Sequence, residues 1–208
     1  MSAQKGAPWH IMAGSRADIA VVEGEGNALY PKLMEFLAIS GSARTLSTNT
    51  AMLHAVSDIA RPEHRISVFD RIGDLPVFSP DLETDPLPDP VRIFIDLIRT
   101  SDGLIIASPE YVRAIPGGLK NAIDWLVSRD EIIDKPIALM HGAHRGDDML
   151  AQLRTVLSTV STRFSNDLFL RFELMKKSPA EIEQQFALPE RRQEIDDFLR
   201  RFAEFCGQ

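Results

Sequence analysis

The sequence predicts an α/β fold: a three-layer sandwich around a five-stranded parallel sheet with strand order 2-1-3-4-5. Two observations carry that expectation. Five short apolar runs alternate with stretches of helical period, the pattern of a parallel sheet covered on both faces. Polar loops follow the first and third runs, so in that order they meet where the strand sequence reverses, and open α/β sheets take their ligands there. A chain of 208 residues suits one core.

The first strand is expected at 35–40, reading Glu-Phe-Leu-Ala-Ile-Ser. A helix over 48–60 follows, with Ala51, Leu53, Ala55, Val56 and Ile59 on one face. The second strand is expected at 65–70. The Pro-rich stretch 76–90 reads as a loop long enough to cover a site or a subunit interface. A helix over 90–100 carries Val91, Phe94, Ile95 and Ile98 at helical spacing, and the third strand covers 103–108. Next come a helix over 118–128, a strand at 136–141, a helix over 149–162 and a fifth strand at 167–173. Two C-terminal helices are expected at 179–186 and 190–205. With right-handed crossovers, this is the flavodoxin-like arrangement.

The domain is read as 34–208, with 1–33 as an N-terminal extension. That extension lacks a clear period and a basic stretch leading into a long apolar core, so no secretory leader is expected. A net charge of -7 and a pI near 5.3 exclude a nonspecific nucleic-acid binder. No apolar run is long enough for a membrane span. The one cysteine, Cys206, cannot form an internal disulfide, so a reducing, cytoplasmic setting is expected. Its place in a helical tail suits packing rather than catalysis.

The loop after the first strand reads Gly41-Ser42-Ala43-Arg44-Thr45-Leu46-Ser47-Thr48-Asn49. Ser42, Ser47 and Thr48 supply hydroxyls, Asn49 an amide and Arg44 a fork of donors. They gather where a helix begins, and free N–H groups there favour an anion. The loop lacks the Gly-Lys-Ser/Thr of a Walker loop and the glycines of a dinucleotide fingerprint. It suits a terminal phosphate monoester; a simple helix cap would account for one hydroxyl but not for the cluster.

The loop after the third strand reads Ser108-Pro109-Glu110-Tyr111-Val112-Arg113, and Gly117-Gly118 then allow a close turn into a helix. Pro109 and Tyr111 offer rigid apolar surface, and the backbone of Glu110 to Arg113 offers groups that can read the edge of a flat heterocycle. One phosphate and one large ring together fit FMN. Lys120, Asn121 and Trp125 are read as structural. The loop after the fourth strand, His141-Gly142-Ala143-His144-Arg145-Gly146-Asp147-Asp148, reaches the same crevice. Its backbone is expected at the pyrimidine edge of the ring, with His141 placed to stabilise negative charge there and the Asp pair capping the next helix. The spacing of His141, His144 and the Asp pair lacks metal-site partners, so no metal is expected.

These motifs resemble the NADPH-dependent FMN reductase family over about residues 34–175. Gly41-Ser42-Ala43-Arg44 with Ser47-Thr48-Asn49 is similar to its phosphate signature. Ser108-Pro109-Glu110-Tyr111 with Pro116-Gly117-Gly118-Leu119-Lys120-Asn121-Ala122-Ile123-Asp124-Trp125 is similar to its ring signature. Val112 stands where many members have Asn, and His141 where a small residue is usual. The resemblance implies hydride passage from NADPH or NADH through FMN to a quinone, azo compound, metal oxyanion or free flavin. It names no side-chain acid or base as catalytic, and it implies a homodimer or homotetramer. Arg113 and Arg145 are candidates to meet a pyridine-nucleotide phosphate. An electron carrier and a non-catalytic flavin-binding module are the rival readings.

Overall fold

A computed structural model describes residues 33–208. The extension expected at 1–33 therefore lies, but for Leu33, outside the described residues. The strands are β1 (Glu35–Ser40), β2 (Arg65–Phe69), β3 (Gly103–Ala107), β4 (Ile137–His141) and β5 (Phe164–Arg171). The helices are α1 (Thr48–Ile59), α2 (Asp89–Thr100), α3 (Gly117–Asp124), α4 (Asp147–Val160), α5 (Pro179–Phe186) and α6 (Pro189–Cys206). All strand pairs are parallel, and the order is β2-β1-β3-β4-β5, as the alternating pattern predicts.

Strand periodicity divides the core in two. Phe36 and Ala38 point to one face, where α1, α5 and α6 bring Met52, Phe186 and Phe202. Leu37 and Ile39 point to the other, where α2, α3 and α4 bring Val91, Trp125 and Leu153. Both β3 and β4 are buried at every position, which is why they read as unbroken apolar runs. Gly103 is where α6 comes close: a Cβ there would meet Phe202 Cζ and Cys206 Sγ at 2.7 Å. Cys206 thus packs against the sheet, in keeping with the structural role expected of it.

Two boundaries differ from expectation by more than two residues. β5 begins at Phe164, three residues before the expected 167, because an edge strand tolerates exposed Asn166 and Asp167 that break the apolar signal. The register against β4 also shifts between Ile137 and Leu139. α3 stops at Asp124 rather than 128. Trp125, fully buried, ends it and donates from Nε1 to the Pro76 carbonyl at 2.8 Å.

Asn121 completes the anchor of the loop after β2. Its Oδ1 accepts from Phe78 N at 2.8 Å, and its Nδ2 donates to the Pro76 carbonyl at 3.0 Å. Phe78 then lies edge-on to Trp125. Asn121→Ala removes both bonds and strands the Phe78 N–H, an expected cost of about 1–3 kcal/mol. Urea unfolding should show a lower midpoint at unchanged slope. An unmoved midpoint would mean that Trp125 holds the loop alone.

Candidate functional site

The carboxyl ends of β1 and β3 are locked side by side. Gly41 N donates to the Ala107 carbonyl at 2.7 Å. A Cβ on Gly41 would fall 2.8 Å from Leu119 Cδ2 and 2.9 Å from Ser108 Oγ, so only glycine lets the two loops diverge from so close a start. Ser40 Oγ and Thr50 Oγ1 lie 2.8 Å apart and tie the end of β1 to α1.

The first loop forms a cradle at the start of α1. Ser47 is the N-cap, its Oγ accepting from Thr50 N at 3.4 Å. Ser42 is buried, and its Oγ accepts from Arg44 N at 3.2 Å. No acidic side chain enters the first turn of α1, so its free N–H groups face no built-in anion. Arg44 is exposed and has no carboxylate partner among the described residues. Asn49 is 8% exposed, yet its Oδ1 has no hydrogen-bond partner among the described residues. A buried acceptor left bare costs free energy unless something supplies a donor.

An open crevice of about 350 Å³ lies beside Asn49. Thr48 and Asn49 line it from the first loop, Pro109 and Glu110 from the second, and His141, Gly142 and Ala143 from the third. The structure thus brings seven of the expected site residues to one cavity. Ser42, Arg44, Ser47, Tyr111, Val112, Arg113 and the exposed His144 are not among its lining residues. Met175 and Lys176, from the loop after β5, also line the crevice and were missed, because nothing in their local pattern marks them. Arg145 and Lys176 bring positive charge to the crevice.

The second loop is a tight hairpin. Tyr111 and Ala114 pair through both backbone bonds, at 3.2 and 3.0 Å, and Val112 and Arg113 between them have φ of 53° and 59°. Two successive left-handed residues suit Asn-Gly and strain a β-branched side chain. Val112 is 98% exposed and makes no contact that compensates. Val112→Asn should stabilise the protein by about 1 kcal/mol by releasing this strain. A raised thermal midpoint checks it; a lowered one would show that Val112 serves some purpose at the tip.

Glycines 117 and 118 correct the expectation of a close turn there. Neither has positive φ; a Cβ on Gly117 would meet nothing, and one on Gly118 would make ordinary contact with Ile72. The Asp pair is corrected as well. The N-cap of α4 is Gly146, and Asp147 and Asp148 lie in the first turn, paired at 2.5 Å with Arg171 and Arg113. The side-chain cap comes from the second loop instead: Glu110 Oε2 accepts from Met149 N at 3.2 Å. Gln152 Nε2 donates to the Arg113 carbonyl at 2.9 Å. Arg113 is therefore committed to Asp148, whose carboxylate holds the guanidinium above its ordinary pKa. Of the two arginines read as phosphate partners, only Arg145 lines the crevice.

His141 ends β4 and is buried. Its Nδ1 lies 3.1 Å from the Ser108 carbonyl and its Nε2 2.6 Å from that of Arg145, so neither nitrogen is left to donate into the crevice. Burial pushes its pKa below the ordinary imidazole value; the Arg145 carbonyl opposes this and Arg171 reinforces it. Among the described residues no group of three or more His, Cys, Asp or Glu could hold a metal ion, and no helix is long and apolar enough to cross a membrane.

These residues fit a flavin mononucleotide. The free N–H groups of α1 and the unpaired Arg44 suit a phosphate, and the bare Asn49 Oδ1 needs a donor such as a ribityl hydroxyl. The backbone beside Pro109 and Glu110 suits a ring edge. Fold and site together define a flavodoxin-like domain with an open crevice at its switch point. The chain belongs to the NADPH-dependent FMN reductase family, whose model matches residues 34–171. FMN is the cofactor of that family and NAD(P)H its electron donor. The NADH:(hydroxy)cinnamate reductase subunit CrdA of Vibrio ruber is 32% identical over 179 residues, 83% of this chain and 87% of that protein. A quinone reductase of Escherichia coli K12 is 33% identical over 106 residues, 50% of this chain, and the match spans 55% of that enzyme's length. In fold, the chain is similar to a flavoenzyme NAD(P)H:(acceptor) oxidoreductase of Paracoccus denitrificans, with a TM-score of 0.64, 23% identity and coverage of 84% of this chain and 98% of that one.

Proposed function

We propose that this chain is an NAD(P)H oxidoreductase that passes reducing equivalents by way of FMN to a small-molecule acceptor such as a quinone, azo compound, metal oxyanion or free flavin. The observation that carries the reading is the crevice itself: a phosphate cradle and a ring platform, from loops far apart in sequence, open on one cavity. Bound FMN would supply the hydride and electron chemistry. Ser42, Arg44, Ser47, Thr48 and Asn49 would hold the phosphate and ribityl end. Pro109, Glu110, Tyr111, Val112 and Arg113 would frame the ring, and Gly142 and Ala143 would bring backbone N–H groups to its edge. Arg145 and Lys176, cations lining the crevice, favour an anionic group on the nucleotide or on the acceptor.

The purified chain should be yellow, bleach with NADPH or NADH in the absence of oxygen, and regain colour with a quinone. A colourless chain that cannot be loaded with FMN would end this reading. A second reading rests on the Vibrio relative, which aligns over most of both chains and is named as a reductase subunit. Here the acceptor would sit on a partner protein. A yellow chain that bleaches with NADH but returns electrons to no soluble quinone, azo dye or flavin would favour it. Cytoplasmic placement and a homo-oligomer complete the proposal. Val77 and Val127, 82% and 66% exposed, flank the anchored loop and α3 and suit a subunit contact. A monomer by sedimentation at micromolar concentration would count against the homo-oligomer.

A further inference from the structure

His141 is the departure from the family pattern that the proposed chemistry leaves unexplained. A neutral imidazole carries one N–H and one lone pair. With carbonyls at 3.1 and 2.6 Å on its two nitrogens, a neutral ring would set one lone pair against a carbonyl oxygen. Only the imidazolium donates to both. The carbonyls belong to different walls of the crevice: Ser108 opens the second loop and Arg145 stands in the turn before α4. The ring fills the space beside Gly146, where a Cβ would lie 2.7 Å from Nε2.

Burial outweighs the charges around the ring, which oppose one another, and the cations Arg145 and Lys176 line the same crevice. Asp147 at the start of α4 favours the cation, and Arg171 on β5 and burial oppose it. Glu110, on the second loop, has its Cβ 3.8 Å from that same point beside Gly146, but its carboxylate is committed to Met149 N. The neighbouring Gly142 is packed by Asn49 and Met52 of α1, which are neutral. A dianionic phosphate held by the first loop, across the same crevice, would shift this balance toward the cation.

We propose that His141 is a positioning residue that takes up a proton from solvent as FMN binds, its imidazolium then fastening the Ser108 and Arg145 carbonyls and so setting the spacing of two crevice walls. The proposal rests on the FMN reading above. It makes binding pH-dependent in a definite direction. Above the pKa of the free protein, loading must draw a proton, so affinity falls as pH rises until the pKa of the loaded form is reached.

The test measures FMN affinity by fluorescence quenching between about pH 7 and pH 9, where a phosphate monoester is already dianionic. The wild-type dissociation constant should rise with pH, by up to about tenfold per unit where one proton is taken up. His141→Gln should bind about tenfold more weakly at the low end, having lost a charged donor, and show a flat profile. A flat wild-type profile, or the same slope in both proteins, would overturn the proposal. Should the variant fail to fold, nitrogen NMR of the FMN-loaded wild type decides: the assigned His141 ring should carry protons on both nitrogens at about pH 7.5, a unit above the ordinary imidazole pKa. A single ring proton there would overturn it. A wild-type chain that binds no FMN at any pH would remove the FMN reading itself, and this proposal with it.

Discussion

Gly146→Ala should cost about 2–4 kcal/mol of stability, combining backbone strain with overpacking. Gly146 has φ of 112°, a region that L side chains rarely adopt. The space is filled as well, with His141 Nε2 at 2.7 Å and Cε1 at 3.0 Å from where the methyl would sit. That ring is held by two carbonyls and cannot swing aside cheaply. Chemical denaturation of the flavin-free protein gives the size of the loss, and FMN affinity should fall with it. Combining Gly146→Ala with His141→Ala separates the two causes, because removing the ring leaves only the strain. A loss below about 0.5 kcal/mol, the range of ordinary surface changes, would mean that the turn has room to relax.

Asn49→Leu should move stability and cofactor retention in opposite directions. The Asn49 side chain is buried with its Oδ1 unpaired, near Gly142, Leu174 and Met52 Sδ. Leucine removes the bare acceptor and suits a helix better, so the flavin-free protein should gain about 1 kcal/mol. The same change deprives the cradle of its one buried amide, and FMN affinity should drop at least about tenfold, the effect of one lost hydrogen bond to a charged or well-ordered group. Thermal midpoints with and without FMN read both effects in one experiment. A destabilised flavin-free protein would show that Asn49 serves the fold. Such a trade, in which a site residue is kept against the interest of stability, is what a ligand-binding position predicts.

Much of the site was legible because its chemistry is local. The hydroxyl cluster of Ser42, Ser47 and Thr48, the Arg44 guanidinium and the Pro109 to Arg113 loop each lie within one stretch of chain, next to a strand whose burial shows as an apolar run. What sequence misassigned were partners. Asp147 and Asp148 look like caps by position, yet the cap is Glu110, 39 residues away from Met149. Arg113 looks free by sequence, yet Asp148 holds it. Gly117 and Gly118 look like the demanding turn, yet the crowded glycines are Gly41, Gly103 and Gly146.

By itself the sequence determined the strand order, the two faces of the core and the two loops that flank the switch point, since periodicity and turn chemistry act over a few residues. The tertiary structure alone decided which carbonyls meet His141, that Asn49 Oδ1 lacks a partner among the described residues, and that Met175 and Lys176 join the crevice from the loop after β5. Those facts depend on atoms brought within about 3 Å by packing of distant segments, where hydrogen bonds form, and no local pattern records them.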